Sequence, residues 1–220
     1  MKYPGRLITL EGLDGSGKST QLALEAERLR RSGMRVTVTR EPGGTALGQQ
    51  VREVVLHAAR EAVTPLAELA LMFAARAQHI EQLILPALKA GDLVLCDRFT
   101  DSSIAYQGYG RGVPLEAIQG LENWLCRGVR PDLTLILEID ADAAARRTGE
   151  RNQAASEAAT RFEQEGTEFF GRVRRGYEEI AQQEPERVRV VNGRGAIDEV
   201  HERVRREVDE FLKKWIVASE

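Results

Sequence analysis

A glycine-rich run near the start of the chain has the spacing of a phosphate-binding loop. Residues 12–19 read Gly-Leu-Asp-Gly-Ser-Gly-Lys-Ser, follow a short strand pattern and open a helical pattern. Glycines let consecutive backbone N–H groups approach phosphate oxygens, and a helix N-terminus adds partial positive charge. Lys18 would reach the β- and γ-phosphates of ATP or GTP, and Ser19 would offer a hydroxyl to Mg²⁺. The predicted triphosphate-binding residues are Gly12, Leu13, Asp14, Gly15, Ser16, Gly17, Lys18, Ser19 and Thr20.

An acidic and a basic residue stand side by side after a later apolar run. Asp97 and Arg98 directly follow the run at residues 92–96. Ligands bind at the carboxyl ends of the strands in an open α/β sheet, so this pair is predicted to lie beside the glycine-rich loop. Asp97 can hold Mg²⁺ through water, together with Ser19, and Arg98 can bind a phosphate through two nitrogens. A structural ion pair is the alternative for two such residues on their own.

The segments that carry these residues alternate between short apolar runs and longer stretches with 3.6-residue periodicity. This order predicts an α/β fold in which a parallel sheet is covered by helices on both faces. Neither a long linker nor an internal repeat interrupts it, so residues 1–220 are predicted to form one domain. The predicted strands are residues 6–11, 35–39, 92–96, 133–138 and 187–191.

Three further segments have distinct patterns. Residues 197–212 place their apolar side chains on one helical stripe, which is typical of a scaffold helix. Residues 64–89 are helical and apolar on more than one face, which predicts contact with the core and with something else. Residues 146–161 are polar and alanine-rich and contain four arginines, a composition typical of a solvated segment unless it faces phosphates.

Composition excludes several classes of protein. The 220 residues include 31 Lys+Arg and 34 Asp+Glu, with a formal net charge of −3 and 42% hydrophobic residues. This composition is typical neither of a disordered chain nor of a nucleic-acid-binding protein. No apolar run approaches the roughly 20 residues of a membrane span and no signal peptide is present, so we expect a cytoplasmic protein without a membrane partner. Cys96 and Cys126 lack metal-site spacing and are predicted to be core residues.

The sequence lacks the guanine-binding motif of GTP switch proteins, which argues against that class. Asn123, Asn152 and Asn192 are followed by Trp, Gln and Gly, so none begins the Asn-Lys-x-Asp of a GTP switch protein. The small size and the lack of a basic tract favour a small-molecule kinase over a motor or a nucleic-acid-dependent ATPase.

Five segments, in order along nearly the whole chain, resemble the thymidylate kinase family. They read EGLDGSGKST at 11–20, TREPGGT at 39–45, LMFAARAQH at 71–79, DRFTDSSIAYQ at 97–107 and RPDLT at 130–134. The resemblance implies a P-loop NTPase fold with a doubly wound five-stranded parallel sheet and a lid at about residues 146–163. It also implies transfer of the γ-phosphoryl of ATP to dTMP, with Mg²⁺, in dTTP synthesis.

The resemblance assigns roles to residues of an acceptor site. Asp14 would lie beside the acceptor sugar and phosphate, and Arg98 would hold the dTMP phosphate. Arg76 would hydrogen-bond the thymine edge with Ser103 as its neighbour, and Tyr106 would occupy the place of a ribose 2′-hydroxyl. The other implied acceptor-site residues are Arg40, Glu41, Phe73, Ser102 and Gln107.

Two departures from the family pattern leave alternatives open. The aromatic residue that stacks on thymine usually stands four residues before the arginine, where this chain has Met72. Phe73 stands three before it and could share the same helical face, so Phe73 is predicted to stack, with Met72 as the alternative. The lid is followed by Thr-Arg-Phe-Glu instead of Asp-Arg-Ile-Glu.

The lid is predicted to supply a catalytic arginine, because the eukaryotic type has an arginine in the loop where this chain has Gly15. Arg161 is favoured, followed by Arg151 and then Arg147, and Lys18, Arg98 and Asp14 complete the predicted catalytic set. The resemblance and the apolar segment at 64–89 also predict a homodimer. The alternatives are a kinase for another nucleotide or deoxynucleoside, and a non-catalytic ATP-binding regulator.

Overall fold

The computed structural model describes residues 3–59, 62–155 and 160–217. Its β-strands agree with the predicted ones to within one residue at each end. They are β1 (Arg6–Glu11), β2 (Val36–Arg40), β3 (Leu93–Asp97), β4 (Leu133–Glu138) and β5 (Val188–Asn192).

The strands form one parallel sheet in the order β2-β3-β1-β4-β5. The chain crosses from β1 to one edge, and from β3 it returns past β1 to the other side. The carboxyl ends of β1 and β3 therefore form the topological switch point, where ligands bind in such sheets. Leu10 of β1 pairs with Asp97 of β3, which brings the glycine-rich loop and Arg98 to this point. The predicted doubly wound five-stranded fold is confirmed.

Helices connect the strands. In the described part of the chain they are α1 (Lys18–Arg31), α2 (Ala46–His57), α3 (Pro65–His79), α4 (Leu85–Ala90), α5 (Thr100–Ser103), α6 (Leu115–Leu125), α7 (Ala141–Ala155), α8 (Thr167–Gln183) and α9 (Ile197–Val217). A π-helical segment at Ile80–Ile84 joins α3 to α4, and another at Ile104–Gly110 continues α5.

Helices cover both faces of the sheet, and successive strand residues pack on opposite sides of it. Ile8 of β1 packs on the side that α1 and α9 cover, together with Leu22 and Val204. Leu7 lies in the cluster on the other side, with Phe73 of α3. The apolar stripe of α9 is thus a core contact, as predicted.

Most of the apolar surface of α3 and α4 is used by this core. Thr64 begins α3 by accepting a hydrogen bond at Oγ1 from the backbone N–H of Ala67 at 3.4 Å. Leu69, Ile80 and Leu88 are buried, whereas Leu66 is 63% exposed. The surface left for another contact is smaller than the sequence pattern suggests.

The predicted lid begins inside α7. Its helical composition predicts a helix, and residues 146–155 are helical, whereas residues 156–159 lie outside the described part. Cys96 and Cys126 are free and buried, as predicted. None of the helices described is long and apolar enough to cross a membrane.

Candidate active site

The glycine-rich loop connects β1 to α1 at the switch point. Gly17 is the N-cap residue of α1 with φ 95°, so the first backbone N–H groups of α1 face the loop. Gly15 has φ +80°, and a Cβ there would lie 2.4 Å from the carbonyl oxygen of Ala144 in α7. No larger side chain fits at Gly15, and any arginine that acts on the phosphates must come from another segment.

Lys18 is held by the loop itself. Its buried Nζ donates to the carbonyl oxygens of Gly12 at 3.2 Å and Leu13 at 2.8 Å. Burial and repulsion by Arg98 lower the pKa of Lys18 to about 8, while nearby carboxylates, with Asp97 foremost, raise it. The lysine carries its charge at neutral pH.

Ser19 and Asp97 are brought together as predicted. The Ser19 hydroxyl at the start of α1 donates to Oδ2 of Asp97 at the end of β3, at 2.5 Å. A hydroxyl and a carboxylate oxygen are hard ligands of the kind that Mg²⁺ prefers. Among the residues that the structure describes, no group of three or more His, Cys, Asp or Glu could hold a metal. A pair of such ligands suits an ion that takes its remaining ligands from phosphates and water.

Arg98 is oriented by a set of fixed oxygens. Its NH2 group donates to Oδ1 of Asp14 at 2.9 Å and to the Tyr106 hydroxyl at 3.1 Å. Its NH1 group donates to the hydroxyls of Ser102 at 3.0 Å and Tyr177 at 3.2 Å. Although burial lowers the pKa of Arg98, Tyr106 and Asp14 hold it well above its usual value. Arg98 is a permanent, immobilised cation.

Two cavities meet at Arg98. The first, which we call the P-loop cavity, has a volume of about 530 Å³ and is lined by loop residues, by Asp97 and by the turn between β5 and α9. The second, the Arg76 cavity, has a volume of about 730 Å³ and extends between α2, α3 and the segment 104–110. The residues that line both are Asp14, Arg40, Glu41, Arg52 and Arg98.

Arg76 forms the floor of the second cavity. Its Nε donates to Oε2 of Glu41 at 2.7 Å, its NH1 to the Ser103 hydroxyl at 3.0 Å and its NH2 to the carbonyl oxygen of Phe99 at 3.0 Å. Burial lowers the pKa of Arg76, but the charges around it, with Glu41 foremost, raise it, and the net shift is upward. Within the described part of the chain, these bonds use three of its five N–H groups, and the other two are available to a ligand.

Glu41 does more than begin a loop. Its Oε1 lies 2.9 Å from Nδ1 of His79, and His79 Nε2 lies 2.6 Å from the Thr39 hydroxyl. Glu41 is thus fixed between Arg76 and His79, all three buried. His79 lies three residues after Arg76 within a segment that resembles the family, but its residue type and spacing alone did not predict this role.

The position of Phe73 argues against the predicted stacking role. Phe73 is fully buried in the core beneath Arg76, whose guanidinium carbon lies 4.6 Å from the ring centroid, and it does not line the Arg76 cavity. Met72 lines that cavity. On α3 a step of one residue turns a side chain by about 100°, which separates the two.

Tyr106 and Gln107 line the Arg76 cavity, as the resemblance implies. The ring of Tyr106 makes edge contacts with Phe162 and Phe169. Gln107 donates from Nε2 to Oε1 of Glu68 at 2.7 Å, so this wall is anchored to α3.

The lid arginines are placed very differently. Arg161 is 2% exposed, pairs with Glu68 and donates from Nε to the carbonyl oxygen of Val55 at 3.1 Å. It lines neither cavity. Arg147 is exposed and lines the P-loop cavity, with its NH1 3.5 Å from the carbonyl oxygen of Gly193. Arg151 belongs to α7, but its side chain lies outside the described part.

Arg52 was missed by the sequence analysis. It projects from α2 into both cavities and donates from NH1 to the carbonyl oxygen of Pro42 at 3.2 Å. Burial lowers its pKa, and the neighbouring charges of Arg40 and Arg98 lower it further. An arginine within an ordinary amphipathic helix gives no signal of its own, so only the folded position identifies it.

Comparisons with known proteins point to one family. The family model described as thymidylate kinase matches residues 10–204. The thymidylate kinase of Thiobacillus denitrificans is 50% identical over 206 residues, which cover 94% of this chain and 97% of the relative. That of Methylococcus capsulatus is 46% identical, covering 95% and 97%.

A solved structure supports the same assignment. The crystal structure of thymidylate kinase from Ehrlichia chaffeensis superposes with a TM-score of 0.74 at 35% identity, covering 93% of this chain and 98% of that one. With the P-loop cavity and the Arg76 cavity meeting at Arg98, the sequence and the fold lead to one conclusion: the chain belongs to the thymidylate kinase family.

Proposed function

We propose that this chain transfers the γ-phosphoryl group of ATP to dTMP, giving ADP and dTDP, in dTTP synthesis for DNA replication. The observation that carries the proposal is the junction of the two cavities at Asp14 and Arg98. One cavity holds the phosphate-binding loop, and the other ends on a buried arginine with free N–H groups. The junction is therefore where a donor and an acceptor phosphate would meet.

The chemistry needs alignment and charge rather than a side-chain base. A phosphate monoester has a second pKa of about 6, so the dTMP phosphate is mostly a dianion at neutral pH. One of its oxygens bonds to the γ-phosphorus as the bond to the β–γ bridging oxygen breaks, and ADP leaves with that electron pair. Lys18 and Arg98 would hold the donor and acceptor phosphates in line. Arg40 and Arg52, which line the same junction, would add to the charge there.

At the other end of the Arg76 cavity, the base would be recognised by its edge. The two unused N–H groups of Arg76 suit a thymine carbonyl, and Ser103 lies beside them. Met72 would pack against the ring in place of the predicted Phe73. Tyr106 would close the wall at the sugar.

Ser19 and Asp97 would hold Mg²⁺ together with the ATP phosphates. When bound, the ion neutralises charge on those phosphates. The direct hydrogen bond between the two side chains places both oxygens within reach of one ion.

We propose that the lid, at about residues 146–163 of one kinase domain spanning 1–220, supplies the further catalytic cation. Arg147 is the leading candidate, because it already lines the P-loop cavity. Arg151 is the next, and the buried pairing of Arg161 with Glu68 makes Arg161 an anchor of the lid rather than a phosphate ligand.

A homodimer and a cytoplasmic location complete the proposal. Val54 of α2, Leu66 of α3 and Trp124 of α6 are 49%, 63% and 86% exposed, and these helices pack side by side. Such apolar side chains are suited to contact with a second copy. Free buried cysteines are typical of a reducing compartment. Sedimentation at micromolar concentration should give the mass of a dimer, and a monomer would contradict the first point.

A coupled assay for ADP with a panel of acceptors tests the function. With dTMP, dUMP, thymidine, AMP and GMP, we expect turnover to be fastest with dTMP and absent with thymidine, which has no phosphate for Arg98. Faster turnover with AMP or GMP would identify another nucleotide kinase. No turnover with any acceptor, despite ATP binding, would favour a non-catalytic regulator.

A further inference from the structure

The last residue of β1 is a carboxylate that the mechanism above does not use. Glu11 is completely buried and lines neither the P-loop cavity nor the Arg76 cavity. A buried carboxylate is costly unless it is paired or hydrogen-bonded, so its partners indicate what the fold gains from it.

In the described part of the chain, the hydrogen bonds of the Glu11 carboxylate go to groups that contact Arg98 or follow it in sequence. Oε1 accepts from the backbone N–H of Phe99 at 2.8 Å. Oε2 accepts from the hydroxyls of Ser102 at 2.5 Å and Tyr177 at 2.9 Å. These are the two hydroxyls that accept from NH1 of Arg98. Glu11 is therefore linked to Arg98 through each of these two hydroxyls.

The direction of these bonds depends on the carboxylate. An ionised carboxylate only accepts, so the hydroxyls of Ser102 and Tyr177, which also lie 3.1 Å from each other, direct their protons toward Glu11. The oxygen lone pairs of Ser102 and Tyr177 are then free to accept from Arg98. A neutral group at position 11 would let a hydroxyl turn its proton toward the guanidinium, which would weaken the hold on NH1.

The backbone contact acts on the same residue. Arg98 has φ 71°, in the left-handed region that a residue with a Cβ rarely adopts. Oε1 of Glu11 accepts a hydrogen bond from the backbone N–H of Phe99, the residue after Arg98. Glu11 therefore also stabilises the turn that directs Arg98 toward the junction of the cavities.

We propose that Glu11 is a positioning residue for Arg98, and through it for the phosphate of the acceptor. It touches no substrate and acts by fixing the hydrogen-bond direction of two hydroxyls and the turn at residue 98. This inference rests on the proposed function, in which Arg98 binds the dTMP phosphate.

The charge of Glu11 responds to its surroundings. Burial and, after it, the charge of Asp101 raise the pKa of Glu11, whereas Arg98 and the hydrogen bonds from Ser102 and Phe99 lower it, and the net value is about 7. Below pH 7 Glu11 gains a proton, and the support for Arg98 weakens. The other titratable or charged groups that interact with it from α1, α3, β3, the segment 104–110 and α8 are Lys18, Arg76, Cys96, Tyr106 and Tyr177.

The test compares the wild-type chain with E11Q by steady-state kinetics and by calorimetric binding of thymidine. E11Q should raise KM for dTMP about tenfold at pH 8, with kcat, KM for ATP and thymidine affinity within about twofold of wild type. E25Q is the matched control. Glu25 is an equally buried carboxylate, paired with Arg28 on α1, and its substitution should leave KM for dTMP unchanged.

The pH profile adds a readout that a purely structural role would not move. The titration of dTMP itself is common to both proteins, so the ratio of their kcat/KM values for dTMP isolates Glu11. This ratio should be largest at pH 8 and fall toward one at pH 6. A ratio that does not change with pH, or a parallel loss in kcat and in both KM values, would overturn the inference.

A second variant keeps the inference testable if E11Q does not fold. Y177F removes one of the two hydroxyl routes and leaves the contact between Glu11 and Phe99 intact. It should raise KM for dTMP about threefold without changing KM for ATP. An unchanged KM for dTMP in Y177F would contradict the role of the hydroxyls. Failure of the wild-type chain to phosphorylate dTMP would instead contradict the proposed function.

Discussion

Arg98 and Arg147 both line the P-loop cavity, but the protein holds them in different ways. Arg98 donates four hydrogen bonds to side-chain oxygens, one of which belongs to Asp14, and these bonds hold its guanidinium in place. Arg147 is exposed on α7 and makes a long hydrogen bond of 3.5 Å to the carbonyl oxygen of Gly193.

This difference separates a preorganised cation from one that must be brought into place. A preorganised cation binds a phosphate without further loss of side-chain entropy, which favours ground-state binding of the acceptor. A solvated cation on a lid loses that freedom only on closure, so its contribution is concentrated in the closed, reacting state. We therefore expect substitutions near Arg98 to act on KM for dTMP and substitutions on α7 to act on kcat.

The largest effect on turnover is expected at Lys18, which the carbonyl oxygens of the glycine-rich loop hold in place. Lys18→Ala should lower kcat by at least ~10³-fold, because the amine stabilises charge that develops on the transferring phosphates. The coupled assay measures this, and Lys89→Ala, at an exposed lysine of α4, is the control with unchanged kcat. Turnover of Lys18→Ala near the wild-type rate would refute the assigned role.

Arg98→Ala should act mainly on the acceptor. Loss of charge-assisted hydrogen bonds to a phosphate predicts a rise in KM for dTMP of roughly 100-fold, while KM for ATP changes much less. Initial rates with each substrate varied in turn make the distinction. Equal effects on the two KM values would place Arg98 at the donor phosphates instead.

Arg147→Ala and Arg161→Ala sharpen the comparison within the lid. Arg147→Ala should lower kcat by roughly 100-fold without changing Tm, because its side chain is exposed. Arg161→Ala leaves the buried Glu68 without one of its partners, so it should cost about 3 kcal/mol of unfolding free energy, or roughly 6–12 °C in Tm. The kcat of its folded fraction should stay close to wild type. A loss of kcat confined to Arg161→Ala would restore the sequence-based prediction.

The smallest kinetic effect is expected at the residue that contacts the base. Met72→Ala should raise KM for dTMP roughly fivefold through lost contact with the thymine ring. Phe73→Ala should cost about 3–5 kcal/mol of unfolding free energy by leaving a cavity in the core, with KM little changed. Kinetics and thermal unfolding of both variants decide the matter. A larger rise in KM for Phe73→Ala would support the original assignment.

The positions of the glycine-rich loop, Asp97 and Arg98 could be predicted from the sequence for a physical reason. Strand periodicity and the glycine-rich motif are local signals, and the sheet then brings the ends of β1 and β3 together without further information. The pairing of Ser19 with Asp97 and the position of Arg98 beside Asp14 follow from that register.

The roles of Arg161, Phe73 and Arg52 could not be obtained in the same way. Whether Arg161 faces phosphates or Glu68 depends on the path of the chain after α7, and local composition is the same in either case. The choice between Phe73 and Met72 depends on the rotation of α3 within the core by about 100° per residue. The role of Arg52 follows only from the folded structure, in which its side chain on α2 lines both cavities.

Calorimetric binding of dTMP to the chain without ATP tests the central claim most directly. If the acceptor site is preorganised around Arg98, the wild-type chain and Arg147→Ala should bind dTMP with the same affinity, and Arg98→Ala should bind it roughly 100-fold more weakly. Wild-type binding that occurs only when a non-hydrolysable ATP analogue is present, or an equal loss in Arg147→Ala, would contradict the account.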